Sequence, residues 1–324
     1  MARKPRMEYP GAHYHVVNRG NFRHWIFQED QAKAAFEACL FEACEKHHWL
    51  LHAFVIMGNH FHLAVETPEG NLSRGMQWLQ ATFANRFNRM RQQCGHLFQG
   101  RFRGPVLERG AGLGQVCQYI HMNPVRAGMV QVSGLKDFRY SSYWYLWNPK
   151  VRRPFMCLQT CLDAAGGLSD SPEGVRAYES YLEWQAAEGP AGKTKAYVCL
   201  SKGWALGSQG FKRELLAECT EEQTLKLWDE AGEAEAARLK WEDQLKALRP
   251  LVEDASDTRK SAPWKVALAC VMKERSSASN PWLAEQLEMG SGIYVSKHVG
   301  VARADIGHPA HALIENLKKV KGKA

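Results

Sequence analysis

Two histidines stand two residues apart in Gly58-Asn59-His60-Phe61-His62-Leu63. If this stretch is a strand, side chains alternate between faces. His60, His62 and Ala64 then share one face, and Phe61, Leu63 and Val65 share the other. Imidazoles at i and i+2 stand about 7 Å apart at Cα, near enough for both rings to converge on one metal ion. The alternative is two solvated polar positions on a half-buried strand, since imidazole is amphipathic and often structural. Further along, Tyr119 and Asn123 lie one helical turn apart and bring a hydroxyl and a carboxamide to one side of a helix end. On position alone they read as a boundary aromatic and a turn residue before Pro124. Between these pairs, residues 71–109 hold Arg74, Arg86, Arg89, Arg91, Arg101, Arg103 and Arg109 against a single acid, Glu108. Guanidinium forks without acidic partners suit phosphate oxygens. A solvated charged face would more usually mix both signs.

The elements that would carry these residues come in a definite order. Residues 14–20 read as a strand. Residues 29–47 read as a helix whose apolar stripe is Ala32, Ala35, Phe36, Cys39, Leu40 and Ala43. A hairpin follows, with strands at 50–56 and 60–66 around a turn at 57–59. A second helix carries Met76, Leu79, Phe83 and Phe87 on one side and Arg86, Arg89 and Arg91 on the other. The basic stretch 97–108 reads as a fourth strand. A third helix over 113–123, with Leu113, Val116, Cys117 and Ile120 as its stripe, ends at Pro124. Strand, helix, two hairpin strands, helix, strand is the order of a ferredoxin-like α+β domain with an antiparallel sheet.

The rest of the chain is organised differently. At 324 residues it is too long for one ordinary core, and we expect domains at 1–147, 148–250 and 251–324. Asn148-Pro149 closes the first. The second reads as a helical linker or packing region with a loop at 189–193. In the third, residues 264–273 are apolar-periodic, Asn280-Pro281 opens a helix, and 289–291 is a tight turn before a further helix. That unit is helix-turn-helix-like, with Tyr294 and Lys297, beside Ser291 and His298, turned toward DNA. A three-helix packing module is the alternative.

Composition narrows the classes further. Hydrophobic content of 45% and charged content of 23% are those of a globular chain. No apolar run reaches the roughly 18 residues of a membrane span, and the basic start lacks a signal-peptide core, so a cytoplasmic protein is expected. Nine dispersed cysteines without a Cys-x-x-Cys pair argue against a zinc ribbon or disulfide framework, leaving mostly buried thiols. The net charge of +8 is uneven: +7 over residues 1–147, −2 over 148–250 and +3 over 251–324.

Three strings then converge on one family. His60-Phe61-His62 in its context, Phe98-Gln99-Gly100-Arg101-Phe102, and Tyr119-Ile120-His121-Met122-Asn123-Pro124-Val125-Arg126-Ala127-Gly128 resemble the REP-associated tyrosine transposases, relatives of the single-tyrosine HUH transposases of bacterial insertion sequences. The likeness extends over roughly residues 7–147. It implies that His60, His62 and Asn123 are metal ligands for Mg²⁺ or Mn²⁺, and that Tyr119 is the nucleophile. The product would be a 5′-phosphotyrosine with a free 3′-hydroxyl, on single-stranded DNA beside palindromic hairpins. Such a protein would work at the bacterial nucleoid as a monomer or homodimer, and its C-terminal module would add contacts to double-stranded DNA. DNA-contacting roles fall to Arg74, Arg86, Arg89, Arg91, Arg101, Arg103 and Arg126, with Tyr294 and Lys297 in the C-terminal unit.

Two other readings compete. One is a non-catalytic, sequence-specific DNA-binding regulator on the same scaffold. The other is a histidine-based zinc hydrolase, which lacks an evident third His or carboxylate ligand. Tyr140, Tyr143 and Tyr145 are read as closing the core rather than stacking bases. His13, His15 and His52 are read as structural, and His121 as facing away from Tyr119.

Overall fold

The computed structural model describes residues 6–187, 204–218 and 230–320, so the loop expected at 189–193 lies outside the described residues. The chain divides into two compact units, Met1–Asp229 and Glu230–Ala324.

The first unit is built on β1 (Ala12–Arg19), α1 (Asp30–His47), β2 (Leu50–Ile56), β3 (His60–Thr67), α2 (Leu72–Arg91) and β4 (Val106–Leu107). The sheet runs β2-β3-β1-β4-β5, where β5 is Ala205–Leu206. β1 pairs antiparallel with β3 and β4, β2 with β3, and β5 joins parallel to β4. The first four strands and two helices form the expected ferredoxin-like α+β arrangement. Two details differ from the sequence reading. The stretch 97–108 forms a ladder only at Val106–Leu107, with single bridges at Arg103 and Phe98. Its Gly100 takes positive φ, which breaks the extended run. The fifth strand was not anticipated, because two residues carry no readable alternation.

The sheet's two faces are chemically opposite. α1 and α2 cover the apolar face, where Phe36 packs 4.5 Å from Phe61 and 5.1 Å from Phe83, ring centroid to ring centroid. α3 (Ala111–His121) lies on the face carrying His60 and His62, against β2 and β3. It stops at Met122, and Asn123 with Pro124 opens a further turn, α4 (Asn123–Arg126). Proline thus serves in a first turn, where its missing N–H costs nothing. α5 (Ser142–Trp147) is capped by Ser141, whose hydroxyl accepts from Tyr143 N. Tyr143 and Tyr145 are buried, closing the core as expected, whereas Tyr140 is only half-buried and donates its hydroxyl to the Asp30 carbonyl. Helices α6 (Gln159–Asp163) and α7 (Pro172–Ala187) continue this layer, and α8 (Gln209–Glu218) follows β5. His121 does point away from Tyr119: it bonds Tyr178 of α7 at 3.0 Å and Ser142 at 2.8 Å.

The second unit holds α9 (Glu230–Leu248), α10 (Pro263–Ser276), α11 (Asn280–Gln286), α12 (Gly292–Ala304) and α13 (His311–Lys319). α10 is buried from Trp264 to Met272 and forms the centre around which the others pack. The cap of α11 is Ser279 rather than Asn280; Asn280 instead accepts from Lys273 Nζ at 2.5 Å. Ser291 caps α12. On α12, Lys297 is exposed, and Tyr294 rests 4.3 Å from the His298 ring. Among the described residues no helix is long and apolar enough to cross a membrane. The described cysteines are free thiols: five are buried, Cys157 is half-buried and Cys94 is exposed.

Candidate active site

Antiparallel register decides which side chains meet. Val17 stands opposite His62 and His15 opposite Ala64, so alternate residues of β1 and β3 share a face. That face brings His15 Nε2 within 3.0 Å of His62 Nδ1, both rings deeply buried. With Nδ1 as the donor, His62 Nε2 carries the free lone pair. His60 is set the same way. Its Nδ1 meets Asn59 Oδ1 at 2.7 Å, while Asn59 Nδ2 donates to the Arg23 carbonyl at 3.3 Å. That second bond identifies Oδ1 as the acceptor, so His60 Nδ1 donates and its Nε2 is left open.

The third helix supplies the oxygens. The Tyr119 ring stands 5.6 Å from both His15 and His62, edge-on to each. Asn123 Nδ2 donates to the Tyr119 backbone carbonyl at 3.0 Å, which commits the amide nitrogen and leaves Oδ1 available. The Arg126 guanidinium lies 4.7 Å over the Tyr119 ring. A cleft of about 620 Å³ opens here, lined by His60, His62, Tyr119 and Asn123, with Arg101, Arg103, Arg19, Arg23, Asn18 and Gln99 around them.

Burial pushes the His60 imidazole down to about 4, with Arg19 adding to the effect. Burial also holds His62 well below its ordinary range, helped by His15, His60 and Arg126. Both rings are therefore neutral at pH 7 and able to donate lone pairs. Two imidazole nitrogens and one amide oxygen, each oriented by its own hydrogen bond, fit a divalent ion with positions left for other oxygens.

The structure thus brings together His60, His62, Tyr119, Asn123, Arg101, Arg103 and Arg126. It does not bring the helix arginines with them. α2 packs on the opposite, apolar face, and there Arg86 forms a bidentate pair with Glu42 at 2.7 Å and Arg91 pairs with Glu29 at 2.6 Å. Arg74 and Arg89 are exposed on the same helix. Sequence reasoning missed Arg19, Arg23, Asn18 and Gln99 as cleft residues, and treated His15 as merely structural. Arg19 and His15 share the alternation of β1 with Val17, which was a usable signal once β1 was paired to β3.

Part of the chain is similar to known proteins. Residues 8–123 match the family described as "Transposase IS200 like". A Haemophilus influenzae protein assigned as a REP-associated tyrosine transposase is 29% identical over 119 residues; the alignment covers 33% of this chain and 66% of that protein, just under two thirds of its length. Among solved structures, one described as a REP-associated tyrosine transposase bound to a REP hairpin matches 47% of this chain and 89% of its own, at 16% identity and a TM-score of 0.39. A Deinococcus radiodurans crystal structure described as a transposase matches 37% of this chain and 95% of its own, at 19% identity and a TM-score of 0.28. Every residue that lines the cleft falls inside the segment that matches the IS200-like transposase family, residues 8–123.

Proposed function

We propose that this chain nicks and rejoins single-stranded DNA at hairpin-forming repeats, with Tyr119 as the nucleophile. The observation that carries the reading is the Tyr119 ring held 5.6 Å from the His62 ring in an arginine-lined cleft. The phenolic oxygen loses its proton and attacks the scissile phosphorus. An O–P bond forms to Tyr119, the bond to the 3′-oxygen breaks, and that oxygen leaves as a hydroxyl after taking up a proton. The 5′-phosphotyrosine conserves the bond energy, so a later 3′-hydroxyl displaces Tyr119 and reseals the strand without a nucleotide cofactor. Mg²⁺ or Mn²⁺, held by His60, His62 and Asn123, would offset charge on the phosphate and the leaving oxygen when bound.

The chain's own residues supply the rest. Arg101, Arg103, Arg19 and Arg23 hold backbone phosphates along the cleft. Arg126 lies against the ring that turns anionic during attack, where its charge is most useful. In the second unit, α11 and α12 support a helix-turn-helix reading in which Tyr294 and Lys297 meet double-stranded DNA. Such a protein acts at the nucleoid, as a monomer or homodimer.

Labelled hairpin-bearing oligonucleotides incubated with the full chain and Mn²⁺ test the proposal. A covalent protein–DNA adduct that survives SDS and disappears in Tyr119→Phe supports it. Tight binding without an adduct across varied hairpins would mean a DNA-binding regulator on the same scaffold. DNA cleavage that persists in Tyr119→Phe would mean a hydrolase.

A further inference from the structure

A second cluster lies on the same sheet face, four residues along β3 from His62, or about 13 Å at Cα. Glu66 Oε2 stands 3.1 Å from His13 Nε2 and 3.6 Å from His52 Nε2. One donor atom from each of the three lies within 4.8 Å of the others. A tetrahedral Zn²⁺ with ligand bonds of about 2.0–2.2 Å sets its ligand atoms about 3.3–3.5 Å apart, between the two distances found here.

His52 reaches this place through a local irregularity. The β2 register shifts between Leu51 and Ala53, and the extra residue turns His52 toward Glu66. Its Nδ1 meets Thr160 Oγ1 at 2.8 Å; with that hydroxyl accepting, Nε2 is the lone-pair nitrogen. That Nε2 is buried and has no hydrogen-bond partner. A buried lone pair aimed at a carboxylate oxygen is repulsive unless a cation sits between them. Exposed Arg109 stands nearby and opposes positive charge on either ring. A divalent ion coordinated directly by both nitrogens and the carboxylate avoids protonating either ring, at the cost of the repulsion from exposed Arg109.

We propose that His13, His52 and Glu66 bind a Zn²⁺-class divalent ion at a site separate from His60 and His62, one that ties β1, β2 and β3 together. The three ligands leave a fourth position for water.

The test is metal stoichiometry of the full chain, loaded with Zn²⁺, dialysed and measured by plasma mass spectrometry, with Co²⁺ absorption reporting tetrahedral coordination. Glu66→Gln should lose one equivalent relative to the parent, and the tetrahedral Co²⁺ bands of this site with it. His60→Ala should leave that equivalent in place. His13→Gln serves as the second variant should Glu66→Gln fail to fold, judged by circular dichroism. Unchanged stoichiometry in a folded Glu66→Gln or His13→Gln variant, or loss of all zinc in a folded His60→Ala, overturns the proposal.

Discussion

Replacing His15 by leucine should loosen metal binding without unfolding the domain. His15 is fully buried, and its Nε2 holds His62 Nδ1 at 3.0 Å. Leucine is of similar volume, so little cavity is created, but His62 Nδ1 is left buried without a partner. That omission costs about 1–3 kcal/mol. If the bond also fixes the ring for metal binding, as the proposal holds, Mn²⁺ affinity falls about 5- to 150-fold, since each 1.4 kcal/mol is tenfold. The range overlaps the general cost of removing a hydrogen-bond partner behind a metal ligand, about 10- to 100-fold. Isothermal titration with Mn²⁺ reads the affinity directly, and the Mn²⁺ concentration giving half-maximal adduct formation reads it through chemistry. His15→Gln restores a polar group of comparable reach and should recover most of the loss. Unchanged Mn²⁺ affinity in a natively folded His15→Leu variant would refute the reasoning, because His62 would then need no partner behind it.

Other consequences are measurable on the same chain. Arg101→Ala and Arg103→Ala should weaken single-strand binding and each lower the salt slope of log K by about 0.7; Arg86→Ala, whose charge is already paired with Glu42, should leave that slope unchanged in fluorescence-anisotropy titrations. Gly75→Ala would place a Cβ 2.1 Å from Trp49 Cζ2, inside a fully buried contact, so we expect a loss of about 1–3 kcal/mol and a Tm several degrees lower by calorimetry. His121, fully buried between Tyr178 and Ser142, is pushed down to about 3. The unfolded chain therefore binds the extra proton below pH 6.5, so stability is complete above that pH and is lost as pH falls toward 3. The cost at pH 5 is about 2 kcal/mol relative to pH 7, and His121→Asn should flatten that part of the pH profile in urea titrations.

Much of the candidate site's scaffold was legible in the residues alone. Period-two alternation put His60 and His62 on one face because a strand allows nothing else, and the spacing of Tyr119 and Asn123 put them one turn apart on a helix. The apolar stripes of α1 and α2 foretold two helices on a sheet. These are local properties, set by bond geometry within a few residues. The site's remaining parts depend on non-local pairing. Whether His15 meets His62 follows from the register of β1 against β3, strands more than forty residues apart in sequence, and a slip of one residue would turn His15 to the opposite face. Likewise, Arg86 and Arg101 belong to one basic run in the chain, yet α2 buries its stripe on the apolar face while Arg101 lines the cleft. Charge along a sequence says nothing about which layer will carry it, because the hydrophobic faces choose the layers first. The bulge that turns His52 toward Glu66 is the same kind of fact: an irregularity in strand pairing that only the folded sheet reveals.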